Sequence, residues 1–505
     1  MKRKSDILIK MYRGMIYILP AVLYFSYYPV IRLGGDETMN FELSLPLLWL
    51  MSFGVLSVVM LIRERRMMGL VRKWKFLLFP LFVTLSVVWS ANVVRGLLTV
   101  AVMWLIVVAV VSFILLKDLV RDEKFVRNFW RWFFGSALVV CGWCVVQCIL
   151  DVAGVPRECT LMCAGCGARM FGFPHPNGFA IEPQFMGNLL LAPAIMSAWL
   201  VIRKRTNRKL ELEPSRVRVF YNRSGGLAPK LQFPRSSVTV VKNTSGSGCL
   251  GSNFLLVCFF VFSSTLFLTF SRGAIYAFIV AMIFMVVYMG VRQKSFKVLK
   301  VFVVVAVAFA FTLNLQGVMA QVGPTNDTYA SGVAKVLNHL SLGVIDIRVR
   351  DGSNAGAVSE ETIMISNEAV FDGYVEESTE IRKMMTRNAS TVWKRDFKTV
   401  MFGVGIGGAG RAMYEAGLIG SPKEIVQNEY ASLLLEVGLT GVVLAFVMLI
   451  LIVRAVIRNP TASVILSLLI AYGVSLMFFA GLPNALQVYL MPGILYIVLR
   501  KKLVS

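Results

Sequence analysis

The stretch VCFFVFSSTLFLTFSRGAIYAFIVAMIFMVVYMGV, residues 257–291, places one arginine between two apolar runs. A helix needs roughly 17–25 apolar residues to cross a bilayer, so the stretch predicts a helical hairpin with Arg272 at its tip. A charge within the hydrocarbon is costly and indicates a functional site by default. Two interpretations are open for Arg272: it snorkels to the headgroups, or Ser271 and Gly273 form a tight turn that aims it back toward the helices.

Long apolar runs recur along the rest of the chain. Of its 505 residues, 57% are hydrophobic and only 16% are charged, whereas soluble domains have about 25% charged residues. The net charge of +24 would suggest nucleic acid in a soluble protein, but here basic cytoplasmic loops explain it better, and no nucleic-acid partner is expected. Twelve apolar windows are candidate membrane spans: 14–31, 43–62, 76–91, 96–116, 133–152, 183–202, 252–270, 273–291, 299–315, 430–453, 461–480 and 485–499.

Basic residues concentrate on alternate connectors, such as RERRMMGLVRKWK at 63–75 and RQKSFKVLK at 292–300. By the positive-inside rule these connectors are cytoplasmic. The predicted fold is an all-α integral membrane protein with about 12 transmembrane helices and both termini in the cytoplasm. Its domains are 1–315, with nine spans and a basic cytoplasmic loop at 203–250; 316–428, a large extracytoplasmic loop or cap; and 429–505, with the last three spans.

Two motifs resemble cofactor or metal sites, but the surrounding sequence argues against both interpretations. GVGIGG at 403–408 fits G-x-G-x-x-G, but no βαβ unit surrounds it; a tight turn that permits close backbone approach is the better interpretation. Cys159, Cys163 and Cys166 leave a metal, one disulfide or three unpaired thiols open. Cys141, Cys144 and Cys148 lie inside the predicted span 133–152 and are interpreted as small apolar packing residues. No metal and no cofactor is predicted.

Polar residues gather in the predicted outer loops. Arg169 and Glu182 lie between spans five and six, and for Arg169 a plain surface charge is an equally open interpretation. If 382–398 is one helix, Arg387, Lys394 and Lys398 share a face, which is either solvated or a binding face. Arginine binds phosphoryl oxygens bidentately and stays charged, so several arginines at one membrane surface suit a lipid diphosphate. Glu436, one to two turns inside span ten, is either paired or protonated.

Four motifs in order carry a family resemblance: R-x2-G-F with PNG-F-A and EP, SRGA opening a span, W-x8-FGVGIG, and QNEY-x5-E-x-G-x2-G. Together they resemble the bacterial O-antigen ligase and O-antigen polymerase superfamily of integral membrane glycosyltransferases, over roughly residues 76–453. The span count and the one large outer loop also match. The resemblance implies an enzyme of the bacterial inner membrane that needs neither metal nor nucleotide.

The resemblance also implies roles for particular residues. The donor is an undecaprenyl-diphosphate-linked glycan, which outer-face arginines hold; the acceptor is the hydroxyl of a glycan or lipid. By position Arg169 and Arg272 correspond to the family's two arginines, and Asn428 to the Asn of its His-Asn pair. The predicted site comprises Arg169, Arg272, Glu182 and Gln427 as catalytic residues. The predicted donor and acceptor contacts are Arg387, Arg395, Asn428 and His175.

Gln427 departs from the family, whose ligases often have histidine here. Glutamine orients a hydroxyl but does not accept its proton, so Glu182, or next His175, is the candidate base. The departure weakens a ligase interpretation and favours a polymerase or a non-catalytic paralogue. A flippase for lipid-linked oligosaccharides is a further alternative, although no inverted repeat is visible.

Overall fold

The structure is a computed structural model, and it is mostly helical. Of the 505 residues, it describes 2–26, 30–36, 39–66, 68–69, 74–120, 122–162, 174–212, 251–293, 299–322, 328–341, 380–459, 461–479 and 485–499. Of the predicted cytoplasmic loop 203–250, residues 213–250 lie outside the described residues, whereas 203–212 continue a helix; the middle of the predicted outer loop, 342–379, also lies outside them.

Helices occupy the predicted windows. In chain order they are α1 Lys2–Tyr24, α2 Leu45–Arg63, α3 Leu78–Ser86, α4 Val93–Leu115, α5 Glu123–Val152, α6 Pro183–Leu212, α7 Ser252–Leu268, α8 Arg272–Gln293, α9 Lys300–Val322, α10 Tyr329–Leu340, α11 380–393, α12 Phe397–Phe402, α13 Ala409–Glu415, α14 Glu429–Ile457, α15 Ala462–Ser475 and α16 Leu486–Leu499. A 3-10 turn, Val87–Trp89, extends α3, and a single helical turn, Arg157–Thr160, follows α5.

Eight of the described helices are long and apolar enough to cross a membrane. Four shorter apolar segments occupy the other predicted windows: Leu78–Trp89, Asn253–Leu268, Ala462–Ser475 and Leu486–Leu499. A 14-residue helix rises about 21 Å, less than the roughly 30 Å of hydrocarbon. The multi-pass helical fold is thus confirmed, whereas twelve complete spans and cytoplasmic termini stay predictions.

The first window is corrected. The span was predicted at 14–31, but α1 ends at Tyr24, and an antiparallel hairpin of β1 Val30–Asp36 and β2 Met39–Ser44 precedes α2. Leu33 pairs with Phe41 in its register. The sequence gives a physical reason, because a proline at position 29 disfavours helical backbone at the residue before it. Within the residues that the structure describes, the predicted all-α fold therefore carries one small β hairpin.

Helix α6 lies at the centre of the bundle. Of its membrane window Pro183–Arg203, 94% is buried, against 11% for the window of α14. It packs on α7, α8 and α15, and Trp199 donates its indole N–H to Ser463 Oγ at 3.0 Å. Small residues let the neighbours approach: a Cβ at Gly187 would lie 2.7 Å from Ala274 Cβ. The central helix therefore holds the start of α8 in place.

The glycine loop 403–408 packs against interrupted helices. Helix α14 kinks at Gly438 (φ 62°), which frees carbonyls one turn earlier. Those of Leu435 and Glu436 accept hydrogen bonds from the amides of Val404 and Gly405, each at 2.9 Å. A Cβ at Gly405 would lie 2.3 Å from Ser90 Cα. The prediction of a tight turn for close backbone approach is confirmed, and backbone amides of the loop replace the helical hydrogen bonds that the kink removes.

Glu436 belongs to this junction. Its carboxylate accepts hydrogen bonds from the backbone N–H of Ala409, at 3.4 Å, and of Gly407. Arg95, on the first turn of α4, lies within electrostatic range. The contacts favour the paired interpretation of Glu436, in which it ties the glycine loop to the kinked helix.

Candidate functional site

Arg272 is the first residue of α8, directly after a tight turn that joins it to α7. Phe270 adopts a left-handed backbone conformation (φ 49°), and the Ser271 hydroxyl accepts from the amide of Ala274 at 3.3 Å. A Cβ at Gly273 would lie 2.8 Å from Phe478 Cβ, so the turn is packed tightly against the segment that follows α15. Arg272 thus lies at a helix end, as the sequence predicts. The packed turn fixes the position at which α8 begins.

A second arginine, Arg382 on α11, reaches the same place. Its Nε donates to Gln427 Oε1 at 2.9 Å, and its Nη2 donates to Gln184 Oε1 at 3.2 Å. Gln184 in turn donates to the Phe478 carbonyl at 2.8 Å, beside Gly273. Arg272 and Arg382 are near enough to repel each other. The Arg382 guanidinium therefore connects Gln427 to Gln184 at the start of α6, and it lies next to Arg272.

Glu182 lies one residue before α6 and completes the group. Burial raises the pKa of its carboxyl above the ordinary range, and the neighbouring positive charge of Arg382 opposes part of that rise. A carboxyl with a raised pKa is nearer to a working base at neutral pH than an exposed one. We call Glu182, Gln184, Arg272, Arg382 and Gln427 the arginine cluster.

Asn428 lies beside this cluster but its side-chain oxygen is already used. It caps α14, accepting from the amides of Tyr430 at 3.1 Å and Ala431 at 3.2 Å. Capping by Asn is a common way to satisfy the free amides at a helix start. The role of Asn428 visible in the structure is to fix the helix that follows Gln427.

The chain's two histidines flank Phe270 in the interior. The His175 ring stacks on Phe270 with centroids 4.9 Å apart, and His339 Nε2 lies 3.3 Å from the Phe270 carbonyl oxygen. Burial lowers the pKa of each to about 3; His339 contributes to the shift of His175, and Arg272 to that of His339. Only 3% of His175 is exposed, so its ring packs under the turn instead of facing the space around the cluster.

The predicted third basic group is arranged differently. Helix α11 ends at 393 and α12 begins at Phe397, with Asp396 Oδ1 capping α12 by accepting from Thr399 N at 2.8 Å. The condition for a common basic face, one helix through Lys398, is therefore not met. Arg387 is exposed, and Arg395 pairs with Asp396 at 3.3 Å. The structure does not bring Arg387 or Arg395 to the arginine cluster.

Other predicted residues have different outcomes. Arg169 lies outside the described residues, as do Cys163 and Cys166. Cys159 is exposed, and the three cysteines of α5, predicted to be packing residues, are buried. Within the described part of the chain, no group of three His, Cys, Asp or Glu side chains is placed to hold a metal ion.

Sequence reasoning missed Arg382 and Gln184. A signal for Arg382 is present, because it extends the buried stripe of Met385, Ala389 and Val392 at helical spacings of three, four and three residues. Arg387 lies on the opposite face of α11. A basic residue that continues an apolar stripe points inward, and that criterion separates the two arginines.

These features define a multi-pass helical membrane protein in which a helix of the loop before α14 brings one arginine beside another at a helix end. Residues 257–446 match the family model described as O-antigen ligase. The match confirms the resemblance to the O-antigen ligase superfamily, and the matched range includes Arg272, Arg382 and Gln427. With the apolar helices, it supports a multi-pass bacterial membrane enzyme of O-antigen or polysaccharide assembly. Comparisons with curated proteins and with solved structures give no match.

Proposed function

We propose that the protein transfers a glycan from an undecaprenyl-diphosphate-type lipid to an acceptor hydroxyl, at the outer face of the bacterial inner membrane. The observation that supports this most is the proximity of Arg272 and Arg382, two cations close enough to repel each other, with the partly buried carboxyl of Glu182 near Arg382. Two guanidinium groups that repel each other are stabilised by a dianionic ligand between them. A lipid diphosphate supplies such a group at the membrane surface.

The chemistry is a single displacement at the sugar C1. The acceptor oxygen forms a bond to C1, the bond from C1 to the diphosphate oxygen breaks, and the hydroxyl proton passes to a base. The leaving diphosphate gains negative charge as it departs, and Arg272 and Arg382 stabilise that charge. Electrostatic stabilisation of this kind is commonly the largest single contribution to catalysis.

Glu182 is the proposed base. Its raised pKa and its position beside Arg382 suit proton acceptance, whereas the neutral buried His175 is held against Phe270. Gln427 is hydrogen-bonded to Arg382 through its Oε1, so it orients that guanidinium, and its amide N–H₂ is the proposed contact to the acceptor. General-base assistance contributes about 10²–10⁴-fold. Arg169 remains a proposed donor contact.

A reconstitution tests the proposal. The purified full chain in proteoliposomes receives lipid-linked repeat units, with and without a separate acceptor. Longer polymer indicates a polymerase, glycan on the added acceptor a ligase, and movement across the bilayer without new bonds a flippase. No transfer and no translocation indicates a non-catalytic paralogue. We expect transfer, and we expect Arg272→Glu to abolish it in protein that remains folded in the membrane; full activity of that variant would remove Arg272 from the site.

A further inference from the structure

The turn that presents Arg272 is held from the outer loop. Two hydrogen bonds connect the end of α10 to the turn and to the first part of α8. His339 Nε2 meets the Phe270 carbonyl oxygen at 3.3 Å, and the Tyr276 hydroxyl donates to the Leu340 carbonyl at 2.7 Å. Because a carbonyl oxygen only accepts, the neutral His339 carries its hydrogen on Nε2. The two bonds bracket Arg272 in sequence, one on each side.

The conformation of Phe270 shows why such support matters. A left-handed backbone (φ 49°) is unfavourable for a bulky residue, and strained residues persist where their surroundings over-determine them. His175 stacks on one side of the Phe270 ring, while His339 meets the carbonyl and the ring edge, with centroids 6.5 Å apart. Both histidines are buried. The strained residue is thus clamped from two sides.

Helix α10 is itself well anchored, so it transmits a fixed position to the turn. Thr328 caps it, accepting from Ser331 N at 3.3 Å, and Tyr329 donates to Asn314 Oδ1 at 2.6 Å. A Cβ at Gly332 would lie 2.8 Å from Ala320 Cβ on α9. The helix therefore packs closely along α9, with its last turn against the Arg272 turn.

We propose that His339 is a positioning residue for Arg272: by hydrogen-bonding the Phe270 carbonyl, it sets the start of α8 and so the placement of the Arg272 guanidinium toward the donor. This rests on the proposed donor role of Arg272. His339 touches neither the donor nor the acceptor in this assignment, and it acts through the backbone of the turn. The outer loop would then contribute to the site twice, through Arg382 directly and through His339 indirectly.

The test is binding of undecaprenyl diphosphate to the purified full chain in nanodiscs. Asn places its amide near the ring position of Nδ1, and Gln places its amide near Nε2, so the two variants form a matched pair. His339→Asn should weaken binding about threefold to tenfold, the range for one lost hydrogen bond. His339→Gln should bind within about twofold of wild type. Val336→Ala trims a buried neighbour on α10 without touching the bond and should also bind normally.

A double-mutant cycle separates positioning from general packing. In an Arg272→Gln background, His339→Asn should have no further effect on binding, because the group it positions is gone. An equal loss in both backgrounds, wild-type binding by His339→Asn, or the same loss in Val336→Ala would overturn the inference.

If the wild-type chain does not bind the lipid diphosphate, the proposed function fails, but the positioning inference is still decided by amide hydrogen exchange. His339→Asn should then speed exchange at Ala274 and Ile275, whose amides bond to Ser271. Unchanged exchange there would refute the support of the turn by His339.

Discussion

The choice between Arg382 and Arg387 is the most direct test of the site. Both lie on α11, five residues apart, but only Arg382 reaches the arginine cluster. Replacing Arg382 by Ala removes a charge and two hydrogen bonds, at 2.9 Å to Gln427 and 3.2 Å to Gln184. Replacing Arg387 by Ala removes an exposed side chain and keeps its backbone carbonyl, which accepts from the Thr391 hydroxyl at 3.1 Å.

The expected magnitude follows from these contacts. A hydrogen bond to a charged group contributes about 1.5–3 kcal/mol, and Arg382 would direct comparable bonds at the leaving diphosphate. A loss of about 3–4 kcal/mol of transition-state stabilisation corresponds to roughly 10²–10³-fold in kcat/KM. Arg382→Lys keeps the charge but not the planar fork that bridges two glutamines, so we expect kcat/KM to fall about tenfold. Arg387→Ala should stay within about twofold, as surface substitutions usually do.

The assay is glycan transfer by the full chain in proteoliposomes, with kcat and KM for the lipid-linked donor measured separately. Folding is checked by size-exclusion profile and apparent melting temperature, which should hardly change, since water reaches the half-buried partners of Arg382. Near-wild-type transfer by Arg382→Ala would refute the cluster. Equal losses in the Arg382 and Arg387 variants would show that the whole basic helix acts through its charge, without a specific contact.

The remaining predictions concern backbone, pH and burial. Gly405→Ala should prevent folding of the loop junction, since its φ is 87° and a Cβ would lie 2.3 Å from Ser90 Cα; Gly420→Ala, with open space around it, should express normally, and normal expression of both would contradict the packing. The rate of glycan transfer should fall as pH drops through the raised pKa of Glu182, because the protonated carboxyl accepts no proton. Glu182→Gln should transfer slowly at every pH. If the variant kept the pH profile of the wild type, Glu182 would be excluded as the base. The pKa of His175 is lowered to about 3 in the fold against about 6.5 unfolded, so its contribution to stability is present above pH 6.5 and is lost as pH falls toward 3. At pH 5 that loss is about 2 kcal/mol, and His175→Phe, which keeps the stacked ring, should show a smaller acid decrease in apparent melting temperature than wild type.

Much of the fold can be predicted from short, local stretches of the sequence. A run such as 274–291 is apolar over its whole length, so it predicts a membrane helix without knowledge of its neighbours. Arg272 was found in the same way, because a lone charge between two such runs must lie at the hairpin tip. The glycine loop 403–408 was also foreseeable as a tight turn, since glycine tolerates positive φ. In each case the information lies within a few consecutive residues.

The β hairpin and the break between α11 and α12 show where local patterns fail. Val30–Asp36 pairs with Met39–Ser44, although 14–31 reads as one apolar helix. The segment through Lys398 has helical spacing, but Asp396 caps a new helix there. Backbone hydrogen bonds with non-neighbouring residues, or with a cap, decide such boundaries.

The sequence by itself determined a multi-pass helical membrane protein with an arginine at the tip of one hairpin, because hydrophobic length and charge placement are local properties of the chain. Only the tertiary structure decided that Arg382 meets Arg272, and that both histidines are buried around Phe270. The apolar stripe indicates which face of α11 turns inward, but what Arg382 meets there depends on other elements, such as α6 and α8, that lie far away in sequence. Convergence of charges is a property of packing, and packing is settled by contacts between elements.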